Sequence, residues 1–380
     1  MTLDRATPPA PDDRRETIRV ALVSPNGTSG LGGISRFCAY LERRSAVVPD
    51  VDLSVHRTIR SGRPVLRMLA EPGILTRFAL RCRRRRFDVV HVNIAPGNST
   101  WRKQRFIAVA RAAGCATVAH LHGSGYDEWY ASLTDRRASR VRRFFRSVDH
   151  VIVCGRHWYD LAVEQLGVEP GRVTIIPNGV PDTGELADPT RAQARMISLG
   201  LVGERKGTDV LLHALARLPD DLDWRADLAG PGDVAAWTAV RDELGLTARV
   251  SFPGWWPEQV ARAELAASDV FVLATRRENQ PVAIVEAMAA GLPVVSTAIA
   301  AIPEVVEDGT TGLIVPADDP GALALALESL LRDPARRAEM GRRGRQRYEQ
   351  GYTIERSADR IHTIYRTLSV VAGKEPEGRR

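Results

Sequence analysis

Two glutamates, Glu278 and Glu286, bracket the predicted start of a helix in the stretch "ENQPVAIVEAMAAG". Pro281 suits the first helical position, because the amide hydrogen that it lacks would be unpaired there. The free amides of Val282, Ala283 and Ile284 then form an anion site at the positive end of the helix dipole. Glu286 lies one turn further along an apolar helix and needs a polar partner. Its carboxylate fits either a pair of ligand hydroxyls or an arginine of the same chain.

Arg205 and Lys206 form a second candidate site, in the stretch "LGLVGERKGTDVLLHAL" between a predicted strand and a predicted helix. Cations at a helix N-terminus oppose the helix dipole, each at a cost of roughly 0.3–1 kcal/mol. An anion between the cations and the helix would remove that cost. A planar guanidinium together with a compact ammonium group suits a diphosphate. Two solvated loop charges are the alternative interpretation.

Two further candidates follow predicted strands in the first half of the chain. Gly32 and Gly33 lie in "SPNGTSGLGGISRF", a glycine-rich loop that lets a ligand approach the backbone closely. The loop is neither a dinucleotide fingerprint, since Ser35 stands at the third glycine position, nor a P-loop. His122, in "AHLHGSG", ends a strand and is placed to face a cleft, with a structural histidine as the alternative interpretation.

The elements that position these residues follow a regular rhythm. Short β-branched runs alternate with longer helical stretches, which is typical of a parallel, doubly wound sheet. The segment "PNGVPDTGELADP" interrupts the rhythm with turn-forming residues and is predicted to be a linker. Because the rhythm restarts after it, the sequence predicts two α/β halves. Ligands of such folds bind at the carboxyl ends of the strands, where the candidate residues lie.

Composition excludes several classes of protein. A chain of 380 residues is too long for one ordinary core, and its 44% hydrophobic and 26% charged residues are typical of a soluble protein. The four cysteines are scattered without a C-x-x-C motif, which predicts neither a zinc site nor a disulfide framework. No apolar run approaches the roughly 18 residues of a membrane-spanning helix. The polar, proline-rich start predicts a disordered tail and no signal peptide.

The net charge of +7 is concentrated in two arginine-rich runs, 77–86 and 136–147. Such runs attract an anionic membrane, a nucleic acid or a charged substrate, or they are simply solvated helix faces. A nucleic-acid partner is not expected. Only Phe78, Phe144 and Phe145 lie among these arginines, and no recognition motif accompanies them.

Taken in order, these pieces resemble the retaining glycosyltransferases of family 4, which have the GT-B fold. The matching stretches are "LGGISRF", "HLHG", "IIPNGV", "ERKGTDVLL", "ENQPVAIVE", "EAMAAGLPVVST" and "IPEVVEDGTTGLIVPADDP". The resemblance covers about residues 18–370 and is strongest over 278–316. It implies two facing Rossmann-like, doubly wound parallel-sheet domains. The expected limits are a tail 1–16, an acceptor domain 17–180, a sugar-nucleotide domain 181–350, a crossover helix 351–372 that returns to the first domain, and a frayed end 373–380.

The resemblance also implies roles for individual residues. Glu286 would hold the ribose hydroxyls of a sugar nucleotide, and Glu278 and His122 would contact the donor sugar. The cations and the helix amides would bind the diphosphate, and the glycine pair would let the first domain approach it. The implied catalytic residues are His122, Arg205, Lys206 and Glu278. The implied donor-binding residues are Gly32, Gly33, Gly254, Asn279, Gln280, Pro281, Val282, Ala283 and Glu286, with the base near Pro253 and Gly254.

Two departures from the family pattern concern the donor. The family commonly has Glu-Gly-Phe-Gly where this chain has Glu-Asn-Gln-Pro, and Pro281 has no amide hydrogen to donate. The side chains of Asn279 and Gln280 are candidates to replace the missing contacts. Leu201 stands where the family often has an arginine, which leaves Arg205 to carry that role.

The expected activity is a metal-independent, retaining transfer of a sugar from a nucleoside-diphosphate sugar to a hydroxyl of a glycan, a lipid-linked or a small-molecule acceptor. No cofactor is expected, and the expected location is the cytoplasm, with a peripheral contact to the anionic inner membrane face. Two alternatives stay open. One is another GT-B sugar-nucleotide enzyme such as an epimerase, and the other is a non-catalytic sugar-nucleotide-binding protein.

Overall fold

The computed structural model describes residues 17–28, 30, 32–58, 64–84, 86–188 and 193–372. The predicted tails 1–16 and 373–380 therefore lie outside the described residues. The described chain forms two sheets of six parallel strands each, as the alternation of strands and helices predicts. The predicted limits of the two domains stay a prediction.

The first sheet has the strand order β2-β1-β3-β4-β5-β6. Central strands such as β3 and β4 are buried at every position, because helices cover both faces of a parallel sheet. Its strands are β1 (Ile18–Ser24), β2 (Val51–Arg57), β3 (Val89–Ile94), β4 (Ala116–Leu121), β5 (His150–Val153) and β6 (Val173–Ile175). Its helices are α1 (Gly33–Ser45), α2 (Pro64–Arg83), α3 (Asn98–Ala112), α4 (Tyr126–Ala131), α5 (Asp135–Ser147) and α6 (Arg156–Asp160), which continues into a π-helical turn (Leu161–Gln165).

The second sheet has the strand order β12-β11-β10-β7-β8-β9. The order of connection reverses between β7 and β10, so the loops after these two strands flank a crevice where ligands of doubly wound folds bind. Its strands are β7 (Ala194–Leu199), β8 (Trp224–Ala229), β9 (Val250–Gly254), β10 (Val270–Leu273), β11 (Val294–Thr297) and β12 (Gly312–Val315). Its helices are α7 (Thr208–Leu215), α8 (Val234–Glu243), α9 (Glu258–Ala266), α10 (Val282–Ala289), α11 (Ile302–Val305) and α12 (Pro320–Leu331).

The C-terminal helices α13 (Pro334–Gly351) and α14 (Ile354–Ala372) link the two halves. Helix α13 packs against α10, and α14 packs against α1 and the first sheet. Tyr365 on α14 hydrogen-bonds His91 on β3 at 2.6 Å. Between the two helices, the backbone of Val180 pairs with Thr353, so both connections between the halves run side by side. None of the helices that the structure describes is long and apolar enough to cross a membrane.

Candidate functional site

A cavity of about 570 Å³ lies between the two halves at the carboxyl ends of both sheets. It brings together most of the residues that the sequence singles out: Gly32, Gly33, His122, Arg205, Lys206, Glu278, Asn279, Gln280, Pro281, Val282 and Ala283. Gly254 and Glu286 do not line this cavity, although Trp255 and Trp256, which follow Gly254, do.

Two helix N-termini meet at the cavity. Helix α10 starts at Val282, and Pro281 is its N-cap instead of the first helical residue that the sequence predicted it to be. The amide of Ile284 donates to the carbonyl of Pro281 at 3.2 Å, so the prediction that it is free was wrong. Helix α1 starts at Gly33, and a Cβ built on Gly33 would lie 3.5 Å from Cγ2 of Val282. Neither helix has an acidic residue in its first turn. Two positive dipole ends with free amides therefore point toward one space, which favours an anionic ligand.

Lys206 and Arg205 lie beside these helix starts, in the loop after β7. The ammonium group of Lys206 hydrogen-bonds Oε1 of Glu278, and Nη1 of Arg205 lies 3.9 Å from the same oxygen. Arg205 also donates to the carbonyl of Arg277 at 3.3 Å. One carboxylate thus faces two cations, so this wall of the cavity keeps an excess of positive charge.

Glu286 is held by the first half of the molecule. Nη1 of Arg36 lies 2.7 Å from Oε2 and 3.0 Å from Oε1 of Glu286, and the hydroxyl of Tyr40 donates to Oε1 at 2.7 Å. Burial raises the pKa of Glu286, while the positive charge of Arg36 acts in the opposite direction. The structure therefore shows the pairing with an arginine of the same chain. The contact of Glu286 with ribose hydroxyls stays a prediction.

Asn279 and Gln280 join the two halves with their side-chain amides. Nδ2 of Asn279 donates to the carbonyl of Leu121 at 2.8 Å, and Oε1 of Gln280 accepts from the amide of Asn178 at 2.6 Å. Oδ1 of Asn279 is buried and has no hydrogen-bond partner. These residues hold the loop 278–281 against the first half of the molecule, and Oδ1 of Asn279 is left for a ligand. Their contact with a sugar stays a prediction.

His122 directly follows β4 and is 6% exposed at the cavity wall. Burial lowers its pKa to about 3, so the imidazole is neutral at ordinary pH. Its Nε2 is buried without a hydrogen-bond partner. This histidine lies beside His120 and Cys154, with a ligand atom of each within 4.8 Å of the others. Sequence spacing did not indicate this cluster, because it arises from the pairing of β4 with β5 across 32 residues.

Trp255 and Trp256 are cavity residues that the sequence analysis did not single out. They follow β9, and Trp255 is 45% exposed, which is unusual for a large aromatic side chain. The available signal was an aromatic pair directly after a predicted strand of the second half. Together with Pro231 they give the cavity an aromatic and apolar part of its lining.

Two family models match the chain. The model described as "Glycosyltransferase Family 4" matches residues 15–183, and the model described as "Glycosyl transferases group 1" matches residues 193–333. The two matches together include the described strands of both sheets.

Curated relatives and solved structures agree with these matches. The chain is 33% identical over 213 residues to the lipopolysaccharide core biosynthesis glycosyltransferase LpsE of Rhizobium meliloti, covering 53% of this chain and 59% of LpsE. It is 25% identical over 408 residues to the D-inositol 3-phosphate glycosyltransferase of Corynebacterium diphtheriae, covering 92% and 94%. The structure of Anabaena HepE in complex with UDP and glucose matches with a TM-score of 0.75 at 17% identity, covering 92% and 100%. The matched segments span 59–67% of the first four curated relatives' own length.

Proposed function

The chain belongs to glycosyltransferase family 4 and has the GT-B fold, and we propose that it transfers a sugar from a nucleoside-diphosphate sugar to an acceptor hydroxyl with retention of configuration. The observation that carries this proposal is the meeting of two helix N-termini, Arg205 and Lys206 at one cavity between two doubly wound sheets. A diphosphate is the anion that suits two adjacent amide sites and two cations.

The diphosphate is the leaving group of the proposed reaction, and negative charge grows on it as the bond to the sugar breaks. The amides of Gly33, Val282 and Ala283 and the cations of Arg205 and Lys206 are already oriented before reaction, so stabilising this charge costs no reorganisation. In the proposed step the departing phosphate oxygen takes the proton of the acceptor hydroxyl, which attacks the face that the leaving group vacates. These residues supply the charge stabilisation in our proposal, which needs neither a metal ion nor a protein nucleophile.

The donor sugar is proposed to lie against His122, Glu278 and Asn279. Nε2 of His122 and Oδ1 of Asn279 are buried atoms without partners, and a buried polar group without a hydrogen bond costs free energy. Sugar hydroxyls would satisfy both atoms. Because burial lowers the pKa of His122 to about 3, its imidazole is a weak base, so in our proposal it orients the sugar and does not carry the transferred proton. The aromatic part of the lining formed by Trp255 and Trp256 is the proposed position of the nucleobase, next to the predicted Gly254.

The acceptor is proposed to bind the first half, and to be a glycan or a lipid-linked sugar. The relatives' names concern a lipopolysaccharide core and an inositol phosphate, which are acceptors or products with anionic groups. Helix α5 exposes Arg136, Arg137, Arg140 and Arg143 while it buries Phe144 and Phe145. An arginine face without free aromatic rings suits an anionic membrane surface better than stacked bases. The proposed location is the cytoplasmic membrane face.

The experiment measures the release of nucleoside diphosphate from UDP-, GDP-, ADP- and dTDP-sugars, with and without lipid-linked or glycan acceptors. Lys206→Ala is compared with Arg343→Ala, which removes an exposed cation on α13 outside the cavity. We expect acceptor-dependent release that Lys206→Ala lowers by about 100-fold, the loss of one transition-state charge contact, and that Arg343→Ala leaves unchanged. Donor conversion without acceptor to an isomeric sugar nucleotide would favour an epimerase. Binding without release under any condition would favour a non-catalytic protein.

A further inference from the structure

Two histidines and a cysteine converge behind the cavity wall. His120 and His122 lie two residues apart at the end of β4, and Cys154 follows the neighbouring strand β5. The two imidazole centroids are 3.7 Å apart. Sγ of Cys154 lies 3.9 Å from Nε2 of His120, 4.0 Å from Nδ1 of His122 and 3.8 Å from Oδ1 of Asn178. Four potential ligand atoms therefore surround one small volume.

The spacing is close to that of a tetrahedral metal site. Zinc–nitrogen bonds of about 2.0 Å and zinc–sulfur bonds of about 2.3 Å place neighbouring ligand atoms roughly 3.5 Å apart. The observed separations are slightly larger, and a small rotation of the side chains would bring the ligand atoms to this distance. Two imidazoles with one thiolate form a set that prefers soft or borderline cations such as Zn²⁺, Cd²⁺ and Cu⁺ over Mg²⁺ or Ca²⁺.

Metal binding changes the protonation state of the cluster at one atom. Burial lowers the pKa of His122 to about 3 and that of His120 well below its usual range, so both rings keep a free lone pair. Burial raises the pKa of Cys154 to about 12, so the metal-free thiol is protonated. Binding of a cation breaks the S–H bond, forms the metal–sulfur bond and releases one proton to solvent. No oxidant or reductant takes part.

We propose that His120, His122 and Cys154, with the side-chain oxygen of Asn178 as a fourth ligand, bind one zinc-type cation. Two of these residues also line the cavity, since His122 and Asn178 form part of its wall. The backbone amide and Nδ2 of Asn178 donate to Gln280 at 2.6 Å and 3.3 Å, which leaves Oδ1 of Asn178 for the cation. A cation here fixes the orientation of His122 and places positive charge beside the proposed sugar site, where positive charge also grows on the sugar as its bond to the diphosphate breaks. The site is therefore inhibitory, a consequence that rests on the proposed function, whereas the binding itself does not.

In the experiment, the full, metal-free chain is titrated with Cd²⁺, and binding is monitored by the thiolate-to-cadmium charge-transfer absorption. We expect a band that saturates at one equivalent and that Zn²⁺ abolishes by competition. Cys154→Ser removes the band, and His120→Asn weakens Cd²⁺ binding by at least about tenfold, the loss of one ligand. Cys38→Ser is the matched control, because Cys38 is also a buried thiol but contacts Asn93 instead of an imidazole. It keeps the band.

A band that persists in Cys154→Ser, or no band in the wild type, would overturn the proposal. Circular dichroism reports whether each variant folds. If Cys154→Ser does not fold, weaker Cd²⁺ binding in His120→Asn and competition by Zn²⁺ test the proposed site. Nucleoside diphosphate release then tests the inhibition. Micromolar Zn²⁺ lowers release by the wild type but not by Cys154→Ser. A cadmium band in a protein that releases no diphosphate would contradict the proposed function alone.

Discussion

Replacement of Glu286 by glutamine should separate ligand binding from the contact between the two halves. Glu286 accepts two hydrogen bonds at Oε1 and one at Oε2 from Arg36 and Tyr40. One lone-pair position of Oε2 therefore remains, and a ribose diol that binds both oxygens must displace part of this contact. Glutamine keeps the shape of the side chain but removes the charge and one acceptor oxygen.

The expected loss follows from the hydrogen bonds at stake. A hydrogen bond to a charged acceptor contributes about 1.5–3 kcal/mol. The loss of one such bond weakens binding of a nucleoside diphosphate roughly 10- to 150-fold. Arg36 also lines the cavity, so the comparison is Arg36→Lys, which changes the contact between the halves but keeps the positive charge. Its affinity should stay within about threefold of the wild type.

Isothermal titration calorimetry with the nucleoside diphosphate that binds the wild type most tightly measures both effects. Tyr40→Phe serves as a further control, because it removes one hydrogen bond to Oε1 and leaves the charge of Glu286 unchanged. An unchanged affinity of Glu286→Gln would refute the ribose role. An equal loss in Arg36→Lys and Glu286→Gln would show that the pair acts only by joining the halves.

Three further predictions concern the scaffold. Gly207 follows the two cations with φ +67°, and a Cβ there would overlap the carbonyl oxygen of Ala274, so Gly207→Ala should destabilise the protein by about 2–4 kcal/mol. The control Gly245→Ala, at φ +71° in open space, should cost about 1 kcal/mol. Equal urea midpoints of the two variants would contradict this account. Burial lowers the pKa of His91 and His122 to about 3, so the unfolded chain binds more protons below about pH 6.5. The contribution of these histidines to the free energy of unfolding is therefore fully present above about pH 6.5 and decreases toward about pH 3, by about 1.4 kcal/mol per pH unit for each histidine. A thermal midpoint that stays constant between about pH 7 and pH 5 would count against buried neutral rings. The arginine face of α5 should bind vesicles that contain anionic lipid and release them in salt; sedimentation that is insensitive to lipid charge, or unchanged in Arg137→Glu/Arg143→Glu, would rule this surface out.

The strands and their positions were predictable from sequence because the signal is local. A strand that is buried on both faces of a parallel sheet is a short apolar run, as β10 is, whereas the edge strands β2 and β9 keep exposed residues. The loops after β7 and β10 could then be placed at a crevice. Their residues Arg205, Lys206 and Glu278 do lie together at the cavity.

Contacts between the halves were not predictable, because they depend on pairs that are distant in sequence. The partner of Glu286 is Arg36, 250 residues away, and sequence spacing could offer an arginine only as one of two alternatives. Asn279 and Gln280 looked like donor ligands, whereas their amides bond to Leu121 and Asn178 of the first half. A polar residue in a loop carries no sequence signal for its partner.

The histidine and cysteine cluster shows the same limit in the first sheet. His120 and His122 are separated from Cys154 by more than 30 residues, and only the order of β4 and β5 makes them neighbours. Metal-site patterns in sequence rely on close pairs such as C-x-x-C, which this chain lacks.

The central claim is that the cavity between the halves binds a nucleoside-diphosphate sugar through Lys206 and the starts of α1 and α10. Ligand-observed NMR with a panel of UDP-, GDP-, ADP- and dTDP-sugars tests it directly. The account predicts that at least one sugar nucleotide binds, that its nucleoside diphosphate displaces it, and that Lys206→Ala weakens it while Arg343→Ala does not. Failure of every sugar nucleotide to bind the wild type would contradict the account.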